Sequence, residues 1–121
     1  MSVLRRTVSV MGYDEELAGR IRGLLAGESA LTERRMFGGL AFLVDGHMAV
    51  AVSGQGGLMA RIDPRDQASL VDGTAIEPMV MRGRAMSGWV RVAASAVADH
   101  RALQEWTDRC VAYAASLPPK R

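Results

Sequence analysis

The sequence predicts an α+β fold: an antiparallel β-sheet with an N-terminal helix, a short middle helix and a long C-terminal helix. Three observations lead there. Leu17, Ile21, Leu24 and Leu25 recur at helical spacing near one end of the chain, and Leu103, Trp106, Cys110, Tyr113 and Leu117 do so near the other. Between these stripes lie short apolar runs of strand length. The first of those runs are joined by tight turns, which a parallel βαβ arrangement cannot use, because parallel neighbours need a long crossover.

The elements follow in order. Asp14, Glu15 and Glu16 put negative charge in the first turn of the first helix, where the helix dipole favours it, and Gly27 follows the last apolar position as a C-terminal stop. Thr32-Glu33-Arg34-Arg35 runs into Met36-Phe37-Gly38-Gly39 and reads as a short edge strand ended by a glycine turn or bulge. Leu40–Val44 and Met48–Val52 flank Asp45-Gly46, a pair suited to a type I′ hairpin because both central residues take positive φ. With Val44 opposite His47, strict alternation puts Leu40, Phe42 and Val44 beside Ala49 and Ala51. It leaves Ala41 and Leu43 beside Met48, Val50 and Val52. Both faces are apolar, so the hairpin is expected mid-sheet with cover on each side. Leu58–Ile62 gives a further strand, with Met59 and Arg61 on one face. Asp63 or Pro64 opens a short helix through Leu70 and Val71. Residues 75–82 and 88–93 read as two more strands, and the last helix ends before Pro118-Pro119.

Composition limits the function classes. The 121 residues are 49% hydrophobic and carry a net charge of +2, so one globular domain is expected rather than a disordered polyelectrolyte. The single Cys110 excludes an intrachain disulfide and, with two His, argues against zinc or iron–sulfur chemistry. Cys110 falls on the apolar stripe of the last helix and reads as a small hydrophobe, not a nucleophile. Asp45 and His47 are explained by the turn, and Ser53-Gly54-Gln55-Gly56-Gly57 lacks the Lys and the following helix of a phosphate loop. The sequence therefore points to no catalytic residue, no cofactor site and no metal ligand. Residues 78–98 hold Arg82, Arg84 and Arg91 with no acid, and together with Arg61 these are the candidate contacts to nucleic acid or a partner. Six of the eight Met fall on or beside strands, and a partly exposed Met face would suit a partner surface. No apolar run is long enough for a membrane span and Arg5-Arg6 is not followed by a signal core, so a cytoplasmic location is expected. Residues 1–12 read as a leader, mobile or forming a short strand, before a single domain over 13–121.

Several motifs in one order carry a resemblance. They are Tyr13-Asp14-Glu15-Glu16-Leu17, Met36-Phe37-Gly38-Gly39-Leu40-Ala41-Phe42, Asp45-Gly46, Leu58-Met59-Ala60-Arg61, Gly83 with Met86, Gly88-Trp89-Val90 and Ser116-Leu117-Pro118-Pro119-Lys120. Over about residues 13–120 the chain resembles the N-terminal domain of the TfoX/Sxy family. The resemblance implies an α+β domain similar to secretion chaperones and a bacterial regulator of the competence type, with Met36, Phe37, Gly38, Gly39, Asp45, Gly46, Gly88 and Trp89 as structural motif residues. The competence regulators carry a second, C-terminal helical domain, and with the chain ending at Arg121 a stand-alone N-terminal domain is expected.

The expected function is a non-enzymatic regulatory or protein-binding module, a homodimer or bound to a protein partner, without membrane or metal. Direct nucleic-acid binding through the arginines is the alternative, and a small enzyme using Cys110 or the Asp45 and His47 pair is the third reading.

Overall fold

The computed structural model describes residues 12–28, 30–36 and 38–118. Phe37, the expected leader strand and the Pro119-Lys120 end of the motif series lie outside the described residues.

The first helix, α1, spans Glu15–Leu24 and begins at an Asp14 N-cap, whose carboxylate accepts the Leu17 amide at 3.1 Å. Four strands follow: β1 (Leu31–Met36), β2 (Gly39–Val44), β3 (His47–Val52) and β4 (Leu58–Arg61). A 3₁₀ turn at Pro64–Asp66, capped by Asp63, leads into the short α2 at Gln67–Leu70. The hairpin β5 (Ile76–Met81) and β6 (Arg84–Val92) comes next, and α3 (His100–Ser116) closes the order from an Asp99 N-cap. The strands form one six-stranded antiparallel sheet in the order β1-β2-β3-β4-β6-β5.

α1 and α3 lie on the same sheet face. Leu17, Ala18 and Ile21 of α1 and Leu103, Cys110 and Ala114 of α3 close over Phe42, Val44, Val50, Val52, Leu58 and Val90 in one continuous core. Two polar contacts hold α1 at the rim, one to the sheet and one to the segment before α3. Arg22 of α1 makes a two-pronged ion pair with Glu33 of β1, at 2.6 and 3.0 Å, and Arg20 donates to the Ala98 carbonyl at 3.3 Å.

Four details differ from the sequence reading. The hairpin turn is of the expected type, with Asp45 at φ 53° and Gly46 at φ 83°, but β3 carries an extra residue. Leu43 pairs with Met48 while Phe42 pairs with Val50, so Ala49 is a bulge. The bulge swaps the faces of the following residues: Val50 and Val52 join Phe42 under the helices, and Ala51 joins Ala41 and Leu43 on the opposite face. Second, the chain reverses at Arg82 (φ 54°) and Gly83 (φ 77°), another positive-φ pair, so Arg84–Ser87 belong to β6 rather than to a connection. Third, the buried line of α3 is Leu103, Thr107, Cys110 and Ala114; Trp106 only borders the core and Tyr113 turns away from it. Fourth, the expected cover is found on one sheet face only among the described helices.

Both edge strands resist further pairing. On β1, Thr32, Glu33, Arg34 and Arg35 are exposed. On β5 the ladder phase is fixed by the Ala93 amide donating to the Ala75 carbonyl at 2.8 Å, which makes Pro78 and Val90 a non-hydrogen-bonded pair. The Pro78 nitrogen therefore faces outward, where a neighbouring strand would need a donor.

Gly39 is fixed by close approach, since a Cβ there would lie 2.1 Å from the Val52 carbonyl oxygen. Gly39→Ala is expected to lower stability by about 3 kcal/mol, as overpacking against backbone does. Gly19→Ala, with open space around it on exposed α1, should raise stability by about 0.5–1 kcal/mol. Urea unfolding of the two variants beside the parent chain measures both.

Candidate functional site

The face opposite α1 and α3 has its own apolar cluster. Ala41, Leu43, Ala51 and Met59 are buried there, and Met36, Met48, Met79 and Trp89 pack partly buried around them. Every one of these residues comes from a strand; no described helix contributes a side chain. The cluster exists because alternate residues of five strands carry Met, Ala or Leu, while the intervening ones feed the helix-covered core. Small Ala41 and Ala51, directly paired, form a low floor, and the longer Met and Trp side chains rise around it.

Arginines join this face by the same alternation. Arg61 opposes Trp89, and Met59 opposes Arg91, across the β4–β6 pair. The four residues make a square with the two arginines on its diagonal, where neighbours stand about 7–8 Å apart and their Cβ atoms somewhat closer. Arg34 reaches the same face from β1, opposite Ala41. Glu77 of β5 sits directly across from Arg91. None of these four charged groups takes part in the ion pairs among the described residues, which join Arg22 to Glu33, Arg65 to Asp63 and Arg101 to Glu105.

Arg61 is held by rings instead. Its guanidinium carbon lies 5.8 Å from the ring centre of Trp89 and 5.8 Å from that of Tyr113, which α3 brings to the end of β4. A cation near two ring faces is stabilised by both quadrupoles, at about 0.5–1 kcal/mol each where solvent reaches.

The other candidate contacts separate. Arg82 and Arg84 are exposed at the tip of the β5–β6 hairpin, beside Val80 and Met81, which are 58% and 38% exposed. They lie past the register shift at Pro78–Val80, opposite the stretch of β6 where Gly88 takes a φ of 83°, so the four arginines divide between the sheet face and the hairpin tip. Tyr113, Arg34 and Glu77 escaped the sequence reading. Arg34 was open to discovery from its alternation with Met36 on an edge strand; Tyr113 was not, because its helix stripe pointed to the core.

Among the motif residues, Met36 and Trp89 belong to this face, Gly38 lies in the turn before β2 and Gly39 starts it, and Asp45 and Gly46 make the hairpin turn. No hydrogen bond joins Asp45 to His47; the His47 ring bonds instead to the Pro118 carbonyl, tying the end of α3 to the hairpin. Cys110 is fully buried, and burial pushes its thiol up to about 12. A cleft of about 300 Å³ opens where the β3–β4 turn meets β5 and β6, lined by Gln55, Thr74, Glu77 and Arg91 among others. No group of three or more potential metal ligands occurs among the described residues, and none of their helices is long and apolar enough to cross a membrane.

This architecture is that of a small α+β domain with both main helices on one face of an antiparallel sheet. The family model described as TfoX N-terminal domain matches residues 23–114, and the chain belongs to that family. No curated protein matches the chain, and no solved structure does.

Cys110 gives a pH test. Its thiol is raised in the folded state above the usual 9.0, so above pH 9 the unfolded chain ionises while the folded chain does not. Stability contributed by the neutral thiol is complete below pH 9 and is lost as pH rises toward 12. Chemical unfolding across that range should show a steeper fall for the parent chain than for Cys110→Ala. Thiol labelling of the native protein should stay slow until the unfolding transition.

Proposed function

We propose that this chain is a non-enzymatic regulatory module that binds another protein through its strand-built face. The observation that carries the reading is the second apolar cluster, which joins adaptable Met side chains to a fixed Trp on a face without a described helix. Met suits such a surface because it is unbranched and polarizable and can repack against different shapes. Membership of a family named for competence regulators supports the regulatory part. The non-enzymatic part is supported by the burial of Cys110 and by the His47 ring bonding to the Pro118 carbonyl rather than to Asp45.

Nucleic-acid binding is the weaker alternative, because its four arginines divide between the sheet face and the hairpin tip, with Glu77 beside Arg91.

A photo-crosslinking amino acid placed at Met79, and separately at the exposed Glu105 on α3 as a control, tests the proposal in the native cell. The Met79 position is expected to give a discrete protein adduct that survives nuclease and high salt, and the Glu105 position none. Adducts to nucleic acid alone, or equal protein adducts from both positions, would overturn the reading.

A further inference from the structure

The square formed by Met59, Arg61, Trp89 and Arg91 has a chemistry that the apolar cluster alone does not explain. Two guanidinium groups stand on one diagonal of a Met and Trp surface, neither paired with a carboxylate among the described residues. A partly buried guanidinium needs its donors satisfied, and a planar one presents them in pairs that match a carboxylate. Arg61 also lies over the rings of Trp89 and Tyr113, at 5.8 Å from each centre, contacts that restrict its rotamers before an acceptor binds.

We propose that this square is the recognition site for an acidic amphipathic protein segment, whose carboxylates pair with Arg61 and Arg91 and whose apolar side chains lie on Met59 and the neighbouring cluster. The proposal rests on the protein-binding reading above and specifies the chemistry of the partner. Charge complementarity supports it: Arg34, Arg61 and Arg91 share the face with Glu77 as the one acid identified there. A nucleic-acid strand fits less well. Arg61 lies over the Trp89 ring where a stacked base would compete with it, and Glu77 beside Arg91 repels a phosphate backbone.

The test uses the full chain, isotope-labelled, titrated with a synthetic peptide of Leu and Glu patterned as an amphipathic helix. Two control peptides replace every Glu by Lys or every Leu by Ser, and a single-stranded oligonucleotide is the third control. The expected result is that the Leu and Glu peptide shifts the amides of Met59, Arg61 and Arg91 and the Trp89 indole, and that the controls do not. Arg91→Gln, which leaves the aromatic stack intact, should weaken binding by about tenfold or more, the loss expected for a charge-assisted hydrogen bond. Arg61→Gln should do the same, and its native spectrum away from the square shows whether the fold survives. Absence of shifts, shifts elsewhere, affinity unchanged in Arg91→Gln, or tighter binding of the oligonucleotide would each overturn the proposal. A protein adduct at Met79 together with any of those results would defeat this inference while leaving the protein-binding reading in place.

Discussion

The bulge at Ala49 decides which residues of the hairpin face the helices. Side chains alternate along a strand, so one added residue transfers everything beyond it to the other face. Before the bulge, Met48 lies beside Leu43 on the face without a described helix; after it, Val50 and Val52 pass beneath α1 and α3 and Ala51 takes the opposite face. The exchange matches volume to need. Branched valines fill the space between sheet and helix, where close packing is required, while alanine lies at the bottom of the opposite surface and keeps it low. The Met and Trp rim stands out only because Ala41 and Ala51 do not.

Local chemistry made most of the element order legible. Asp14 before a leucine stripe, Asp45-Gly46 between apolar runs and Pro118 after the last stripe each act within a few residues, so their structural consequence is visible without tertiary information. Other features depend on partners distant in the chain. The Ala49 bulge leaves no mark in composition, since AVAV alternates equally well in either register. Arg82-Gly83 is a two-residue turn that departs from the usual Asn or Asp at its first position, so β6 was cut short at its beginning. The candidate site was legible only in part. Arg61, Arg91 and Trp89 could be named individually, but their meeting depends on β6 inserting between β4 and β5, a sheet order that sequence adjacency does not suggest.

Arg61 links the two halves of the domain. It projects from the sheet face without helices, yet one of its two rings belongs to α3, whose apolar side lies on the other face. The end of α3 is also held by His47, at the start of β3. Contacts at the sheet end therefore connect the helix layer to the strand-built surface, and Tyr113 and Pro118 are anchors at the boundary rather than parts of the core. The same side chain lies over a ring near the end of α3 and carries donors that no carboxylate pairs with among the described residues.

The outward nitrogen of Pro78 has a consequence for how any visitor must approach. Extending this sheet by β-augmentation would require an incoming strand to accept a hydrogen bond from the position that has no N–H, and the opposite border shows Glu33, Arg34 and Arg35 instead of an apolar rail. An approach that avoids both borders meets the broad side of the sheet. A visitor arriving there receives no backbone hydrogen bonds from the strands and must satisfy its own, which an α-helix does and an extended peptide does not.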